Sequence, residues 1–413
     1  MTRFCLLSVF FLLAACGPQK GAVKPPPPAP VLPADGDCAQ PAAGPNMRVT
    51  NAIGESTDPE IVALPDGYYV AWTDFLARFP AVAAVRVDRD GVPRSVENVF
   101  PQKGACRQPS LGLDAAEIHI AWLDGPTLQS VRVDKNDAQP VTYSEKAHHL
   151  TTGPFGAVAW VAPPGQLLFR CDGMLPLPDR KGRIIEPAPV VVAKGGIEAP
   201  RMAWTGKFYA LVWSESAAGG RRIVLQRVTN DGLLQGPKVA VSAMAGKSTN
   251  PVITWNGEEF AVAWTNAAPT PEDPGESYRV YMALIAKDGA KPRSTKQLDF
   301  TGSADEVSIA PMADGYGLAW VGSRRPAGSA VYFRLFDRDG NARGDVLQVT
   351  DDQPEACGRP AVAFNGDSFG VVWSDSRFYE GAEIFFSRIS CAAPGNAPAT
   401  DAAAEPPLKK VFE

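Results

Sequence analysis

Pro251-Val252-Ile253-Thr254-Trp255-Asn256-Gly257-Glu258-Glu259-Phe260-Ala261-Val262-Ala263-Trp264-Thr265-Asn266 reads as one antiparallel hairpin. Apolar residues alternate on both sides of an Asn-Gly pair, the strongest short-range signal for a tight turn between two strands. The same text recurs along the chain. Pro59 leads through Asp66-Gly67 to Trp72, Pro200 through Gly206 to Trp213, and Pro360 through Asn365-Gly366 to Trp373. Further copies end on Trp122, Trp160 and Trp320, so the period is about 50 residues. A third apolar run follows most copies: Val82 to Val87, Gln129 to Val133, Ile223 to Val228, Val280 to Ile285, Val331 to Phe336 and Ile384 to Ile389. Most then meet another turn, such as Asp90-Gly91 or Asp339-Gly340, and a more polar fourth run. Four short antiparallel strands repeated radially at this period predict an all-β fold, a β-propeller of four-stranded blades. The tryptophans count seven blades. Six is the alternative, because the third copy (Phe155 to Trp160) has lost its turn dipeptide and runs into Pro163-Pro164-Gly165.

The pattern resembles a degenerate tryptophan-ending propeller repeat, Pro-x-Val-x-Trp-Asn-Gly-x-x-Phe-x-Val-x-Trp-x-Asp, frequent in bacterial envelope and secreted proteins. The resemblance covers roughly residues 47 to 391. It is specific for architecture and nearly silent on activity. The last copy lacks a fourth strand before Ala393-Pro394-Gly395, whereas Met47-Arg48-Val49-Thr50 matches Leu347-Gln348-Val349-Thr350. Residues 47–50 are therefore expected to supply the outer strand of the last blade and lock the ring, which would otherwise leave sheet edges unpaired.

The ends carry an address. Arg3 precedes an apolar run from Phe4 to Leu13, a secretory signal too short to span a bilayer permanently. Leu13-Ala14-Ala15-Cys16 resembles the bacterial lipobox, which implies a signal peptide over 1–15 and lipidation of Cys16. Gly17, where an inner-membrane retention signal would carry aspartate, implies the outer membrane. Residues 16–46 form a Pro/Ala-rich tether, and 392–413 read as a disordered tail. The formal net charge of −5 and a pI near 5.5 argue against nucleic acid as the main partner.

Seven cysteines include Cys5 in the signal and Cys16. An exported compartment permits disulfides. Ring closure would bring Cys38 and Cys391 to one edge, so these two are the bridge expected. Cys106 and Cys357 sit at matching Ala-Cys-x-x-Pro positions in blades two and seven, and a bridge across the channel mouth is the weaker option. Cys171 reads as a buried free thiol. No CxxC or Cys/His spacing marks a metal site, and no cofactor motif is present.

No nucleophile elbow or phosphate loop appears. His119 alternates within a strand and reads as a core residue; His148-His149 opens blade three, where propellers often face the channel. Candidate binding residues sit in the loops leading into the blades: Glu60, Arg107, His148, Glu198, Asp305 and Arg359, with Asp58 and Glu306 beside them. Acids two residues after the repeat tryptophans (Asp74, Asp124, Glu215, Asp375) recur with the repeat and read as turn or interblade hydrogen-bonding groups. Trp204, Trp255 and Phe364 read as interblade packing. The insertions 173–194 and 269–277, and Arg377 to Glu380, are exposed loop candidates. These readings converge on a monomeric, non-enzymatic recognition or scaffolding lipoprotein, anchored through Cys16 and bound to an envelope protein or polysaccharide. The alternative is a carbohydrate-binding or carbohydrate-active propeller with acids at the channel mouth.

Overall fold

The computed structural model describes residues 41–391 apart from 52–53, 76–79, 97, 101–104, 115–116, 134–139, 145, 172–176, 179–183, 186–187, 243–245, 269–276, 290, 299–303, 324–327, 352–356 and 378–380. The signal, Cys16, Cys38, the tail, half of the 173–194 insertion, nearly all of 269–277 and Phe378 to Glu380 thus lie outside the described residues, as does the side chain of Cys391.

The fold is an all-β propeller, and the described strands form seven four-stranded antiparallel units. Blade one is Ser56–Leu64, Gly67–Asp74, Ala81–Asp88 and Asn98–Phe100. Blade two is Cys106–Asp114, Glu117–Asp124, Thr127–Arg132 and Val141–Ser144. Blade three is His149–Gly153, Ala157–Ala162, Gln166–Cys171 and Val190–Lys194. Blades four, five and six begin at Ile197–Trp204, Gly246–Trp255 and Ala304–Met312. Blade seven takes Cys357–Phe364, Ser368–Asp375 and Glu383–Cys391 from the C-terminal side.

Each blade buries both faces, so its second strand has no polar face; in blade one all eight residues from Gly67 to Asp74 are buried. The apolar clusters lie between consecutive blades. One joins blades one and two through Tyr69, Ala84, Cys106 and Trp122. Another joins blades seven and one through Tyr68, Val70, Val372 and Phe386. Trp204, Trp255 and Phe364 pack on their cross-strand partners Tyr209, Phe260 and Phe369, with centroids 4.4, 4.7 and 4.6 Å apart. They are interblade packing residues.

Turn chemistry follows the sequence. Asn256 Oδ1 accepts from the backbone of Glu258 and Glu259, and Asn365 from Asp367 and Ser368. Asp88 and Asp337 cap their own turns in the same way. Blade three, lacking the dipeptide, turns through Pro154–Gly156 with Phe155 at φ 60°. Neighbouring blades hold that turn: Phe155 N donates to Asp114 (3.0 Å) and the Tyr209 hydroxyl to Pro154 O (2.8 Å). Between blades four and five the backbones touch at Gly220 and Gly246, where a Cβ on Gly220 would stand 2.2 Å from the Gly246 carbonyl oxygen.

Closure uses more chain than 47–50. Met47 and Arg48 pair with Phe386 and Phe385, and upstream Pro41, Ala42 and Ala43 pair with Cys391, Ser390 and Ile389. Val49 and Thr50 then end the strand as Val349 and Thr350 do in blade six. In both, the valine N–H donates to a third-strand carbonyl at 2.8 Å. The closing contact is a buried cluster. Arg48 donates to Glu383 at 2.8 Å, the Thr50 hydroxyl donates to the other Glu383 oxygen, and Ile384 N donates back to Thr50 at 2.9 Å.

The acids after the tryptophans work within their own strand. Asp74, Glu215 and Asp375 accept the indole N–H of Trp72, Trp213 and Trp373 at 3.1, 3.2 and 3.1 Å, because residues two apart share a strand face. Glu215 also pairs within its own blade, with Arg222 and Lys238, and Asp375 makes the turn bond expected of this set, accepting the backbone N–H of Arg377 at 3.0 Å. Arg377 is not exposed: its side chain is 8% accessible, it pairs with Asp375 at 2.5 Å and with Asp351, and it lies over Phe385. The side chains of Cys106, Cys171 and Cys357 are buried. A Cys106–Cys357 bridge is excluded because each belongs to a different interblade core, one between blades one and two and one between six and seven.

Three outcomes are expected from this packing. Thr50→Val strips the buried Glu383 of a donor and Ile384 N–H of its acceptor, at about 1–3 kcal/mol for each group left unpartnered; urea unfolding should show a lower midpoint with an unchanged slope. Arg377→Met leaves Asp375 buried without its cation and should cost about 3–5 kcal/mol. Burial alone would raise the Asp375 carboxyl, but hydrogen bonds from Arg377 and Trp373 outweigh it and hold the group below its ordinary value of 3.8. A depressed carboxyl contributes stability in full above its unfolded value and loses it as pH falls through the folded value. Wild-type stability should therefore drop below about pH 4, with a shallower drop in Asp375→Asn.

Candidate functional site

The inner strand of six blades carries the same irregularity. Its pairing with the second strand slips by one residue at Thr57/Glu60, Arg107/Ser110, Glu198/Arg201, Thr249/Val252, Asp305/Ser308 and Gly358/Ala361. Within each slip one residue is left-handed: Asp58, Gln108, Ala199, Asn250, Glu306 and Arg359, with φ between 48° and 54°. In five of the six the next residue is proline. A non-glycine residue there costs of order 1–3 kcal/mol and persists only where the surroundings over-determine it. Blade three pairs without a slip and presents His149 and Leu150 instead.

These positions converge on the channel. They line a cavity of about 330 Å³ bounded by residues from all seven inner strands, and its charged or titratable lining is Asp58, Glu60, His149, Arg201, Glu306 and Arg359. The bulges set two rows of side chains. The left-handed positions give Asp58, Glu306 and Arg359, and the positions after the proline give Glu60 and Arg201.

The charges are interleaved. Arg359 forms an ion pair with Asp58, its Nε lies 4.0 Å from Glu306, and its backbone N–H donates to Glu306 at 2.6 Å. Arg201 lies 3.8 Å from Glu60. The Thr73 hydroxyl donates to Asp58 and accepts the backbone N–H of Gln108, tying the bulges of blades one and two together. Burial among the seven strands raises the Glu60 carboxyl, an effect Arg201 partly offsets. Glu60 keeps 31% side-chain accessibility, and the space it meets is the channel cavity. Burial also raises Glu306, against the hydrogen bond from Arg359 and with Asp305. Burial and then His148 lower His149, so its ring is neutral at pH 7.

The structure divides the residues expected from sequence. Glu60 and Arg359 line the channel. Arg107 and His148 meet in a second, shallower depression with Lys146 at the junction of blades two and three. His148 stands edge-on to His149, with ring centroids 5.4 Å apart. Glu198 pairs with Arg221 at 3.2 Å rather than lining the cavity. The Asp305 carboxylate accepts Glu306 N–H at 2.8 Å and so holds the left-handed residue in place. Sequence reading missed Arg201 and Lys146, and favoured His148 where His149 faces the channel. Aligning the post-proline position across repeats, which sets Arg201 beside Glu60, would have found the first.

The arrangement suits recognition. A cavity of this size holds about one sugar or amino-acid unit. It offers donors from two arginines and acceptors from three carboxyls, two of them holding protons more tightly than usual.

No family model matches the chain, and no curated protein matches it. Solved structures do. A protein of unknown function from Dyadobacter fermentans aligns with TM-score 0.51 and 10% identity over 85% of this chain and 99% of that one. The phage phi92 endosialidase aligns with TM-score 0.53 and 8% identity over 88% of this chain and 71% of that one. Chaetomium thermophilum Raptor aligns with TM-score 0.52 and 12% identity over 84% of this chain, which spans only 30% of that protein. At these identities the likeness is one of fold: this chain is similar to known proteins as a β-propeller.

Proposed function

We propose that this protein is a non-enzymatic recognition module of the bacterial cell envelope, held at the outer membrane by a lipid on Cys16 and a tether over 16–46. It binds an envelope protein or polysaccharide through the end of the channel where the bulges converge. The observation that carries this reading is the ring of six left-handed residues. Six copies of a strained backbone conformation are costly to keep, and together they aim Asp58, Glu60, Arg201, Glu306 and Arg359 at one cavity. The basic depression of Arg107, Lys146 and His148 extends the same face. Two arginines whose charges are largely answered by carboxylates favour a polar ligand carrying hydroxyl, amide or zwitterionic groups over a polyanion such as nucleic acid.

A carbohydrate-active reading has one observation in its favour: burial raises the Glu60 carboxyl, the direction of shift a general acid needs. The pairing of Asp58 with Arg359 and Thr73 weighs against it, because a second carboxylate free to act on water or substrate is what the reaction requires. The bridge between Cys38 and Cys391 belongs to the same proposal. Pro41 pairs with Cys391, so Cys38 stands three residues from the partnered position.

Crosslinking in the native envelope followed by mass spectrometry tests the binding reading. A reproducible partner is expected, linked through the channel face, with capture falling at least tenfold in Arg201→Ala/Arg359→Ala. Capture that is unchanged in this variant defeats the reading. Hydrolysis of an envelope polysaccharide that Glu60→Gln abolishes would establish the enzymatic one instead. Cys16→Ser should move the protein from the membrane fraction to the soluble fraction. Non-reducing peptide mapping should recover a Cys38–Cys391 linked peptide.

A further inference from the structure

The hairpin that joins the first two strands of blade two gathers three ligating side chains far along the inner strand from its bulge. Asp114 pairs directly with Glu117, and His119 stands opposite Gly112 on one side and Arg132 on the other. Glu117 and His119 are two residues apart on one strand and share a face. The carboxylate of Asp114, directly across from Glu117, reaches the same side, and one ligand atom from each of the three residues lies within 4.8 Å of the others. Two carboxylates in direct cross-strand register repel each other. Arg132 answers one of them, at 3.0 Å from Glu117.

His119 is the second observation. Its side chain is 3% exposed, and its buried Nε2 makes no hydrogen bond of acceptable geometry, although it points at Asp114 Oδ2 from 3.4 Å. For zinc–nitrogen and zinc–oxygen bonds of about 2.1 Å, the edge of a tetrahedron is about 3.4 Å. The His119–Asp114 spacing matches that edge as well as it matches a long His–Asp ion pair, so an ion fits between the two groups with little movement. Phe155 N–H donates to Asp114 at 3.0 Å and orients the carboxylate as an outer partner of a ligand would. Asp114 and Glu117 keep 13% and 38% side-chain accessibility, which leaves an ion a route in.

We propose that Asp114, Glu117 and His119 bind one divalent transition-metal cation of the zinc class, with water completing the coordination. The site is separate from the channel and independent of the recognition reading. Nitrogen-and-carboxylate ligands with one imidazole suit Zn²⁺ better than Ca²⁺ or Mg²⁺, which prefer all-oxygen sets. Arg132 competes with the ion for Glu117, so the site predicts a result that a purely structural cluster does not: Arg132→Gln should bind metal more tightly.

The test uses the full mature chain, stripped with chelator and titrated with ZnCl₂ in a calorimeter, with CoCl₂ as a spectroscopic probe. One equivalent of Zn²⁺ should bind at micromolar or lower dissociation constant, and Co²⁺ should show the visible bands of a four-coordinate site. Asp114→Asn and Glu117→Gln, which keep the imidazole and the strand, should weaken Zn²⁺ binding at least tenfold. Arg132→Gln should strengthen it several-fold, and His148→Ala/His149→Ala should leave it unchanged. Absence of stoichiometric uptake overturns the proposal. So does uptake that survives both carboxylate substitutions, or uptake that is lost only with His148 and His149.

Discussion

A four-stranded blade that buries both faces cannot do so alone. Every apolar cluster among the described residues lies between two blades, and the one that closes the ring lies between blade seven and blade one, built from Tyr68, Val70, Val372 and Phe386. That core requires the two ends of the chain to meet. The segment from Pro41 to Thr50 brings them together by completing the sheet of Glu383–Cys391. The meeting point is polar where the rest of the core is not. Glu383 is 2% accessible and is answered by Arg48 and Thr50, so the closing strand is specified by a charge that only the correct register can satisfy.

The same logic sets the tryptophan clasps. The indole fills the interblade space, and its N–H would be an orphan donor there if no acceptor were in reach. An acid two residues on supplies one without leaving the strand, and Arg377, or Arg222 with Lys238, neutralises that acid in turn. Three of the four acids that follow the repeat tryptophans, Asp74, Glu215 and Asp375, are thereby used up in the core. The acids at the bulges differ. Glu60 and Glu306 face the channel cavity, where burial raises them and arginine pairing is only partial.

Much of the fold was legible because its signals are local. Asn-Gly and Asp-Gly turns, alternating apolar runs and the tryptophan period are each read within one repeat. Closure was legible because Val49-Thr50 copies Val349-Thr350, although pairing by Pro41 to Ala43 was not, since Pro-Ala-Ala carries no strand signal against the rest of the proline-rich leader. The site was half legible. Glu60 and Arg359 stood out as charged residues beside the repeat proline. Glu198, with the same credentials, turned away to Arg221, because the bulge gives the residues before and after it different directions. His148 and His149 could not be told apart by spacing, since one residue along a strand exchanges the channel for the outer depression. The cluster of Asp114, Glu117 and His119 was invisible for a related reason: its members become neighbours only across a hairpin register.

The bulges also explain how so constrained a scaffold tolerates so much change. Asp, Gln, Ala, Asn, Glu and Arg all occupy the left-handed position, so the conformation there does not come from the side chain. It is imposed by the slip in pairing, by the residue that follows and by ties such as Asp305 to Glu306 and Thr73 to Gln108. A position whose backbone is fixed from outside can change its side chain without unfolding the blade. The six positions are therefore chemically free while geometrically fixed, which is the property a recognition surface needs. It also accounts for a chain that overlays on other propellers across most of its length while sharing only 8 to 12% of its residues with them. What the fold requires is the slip, the interblade aromatics and the closing charge; what lines the channel is left free to vary.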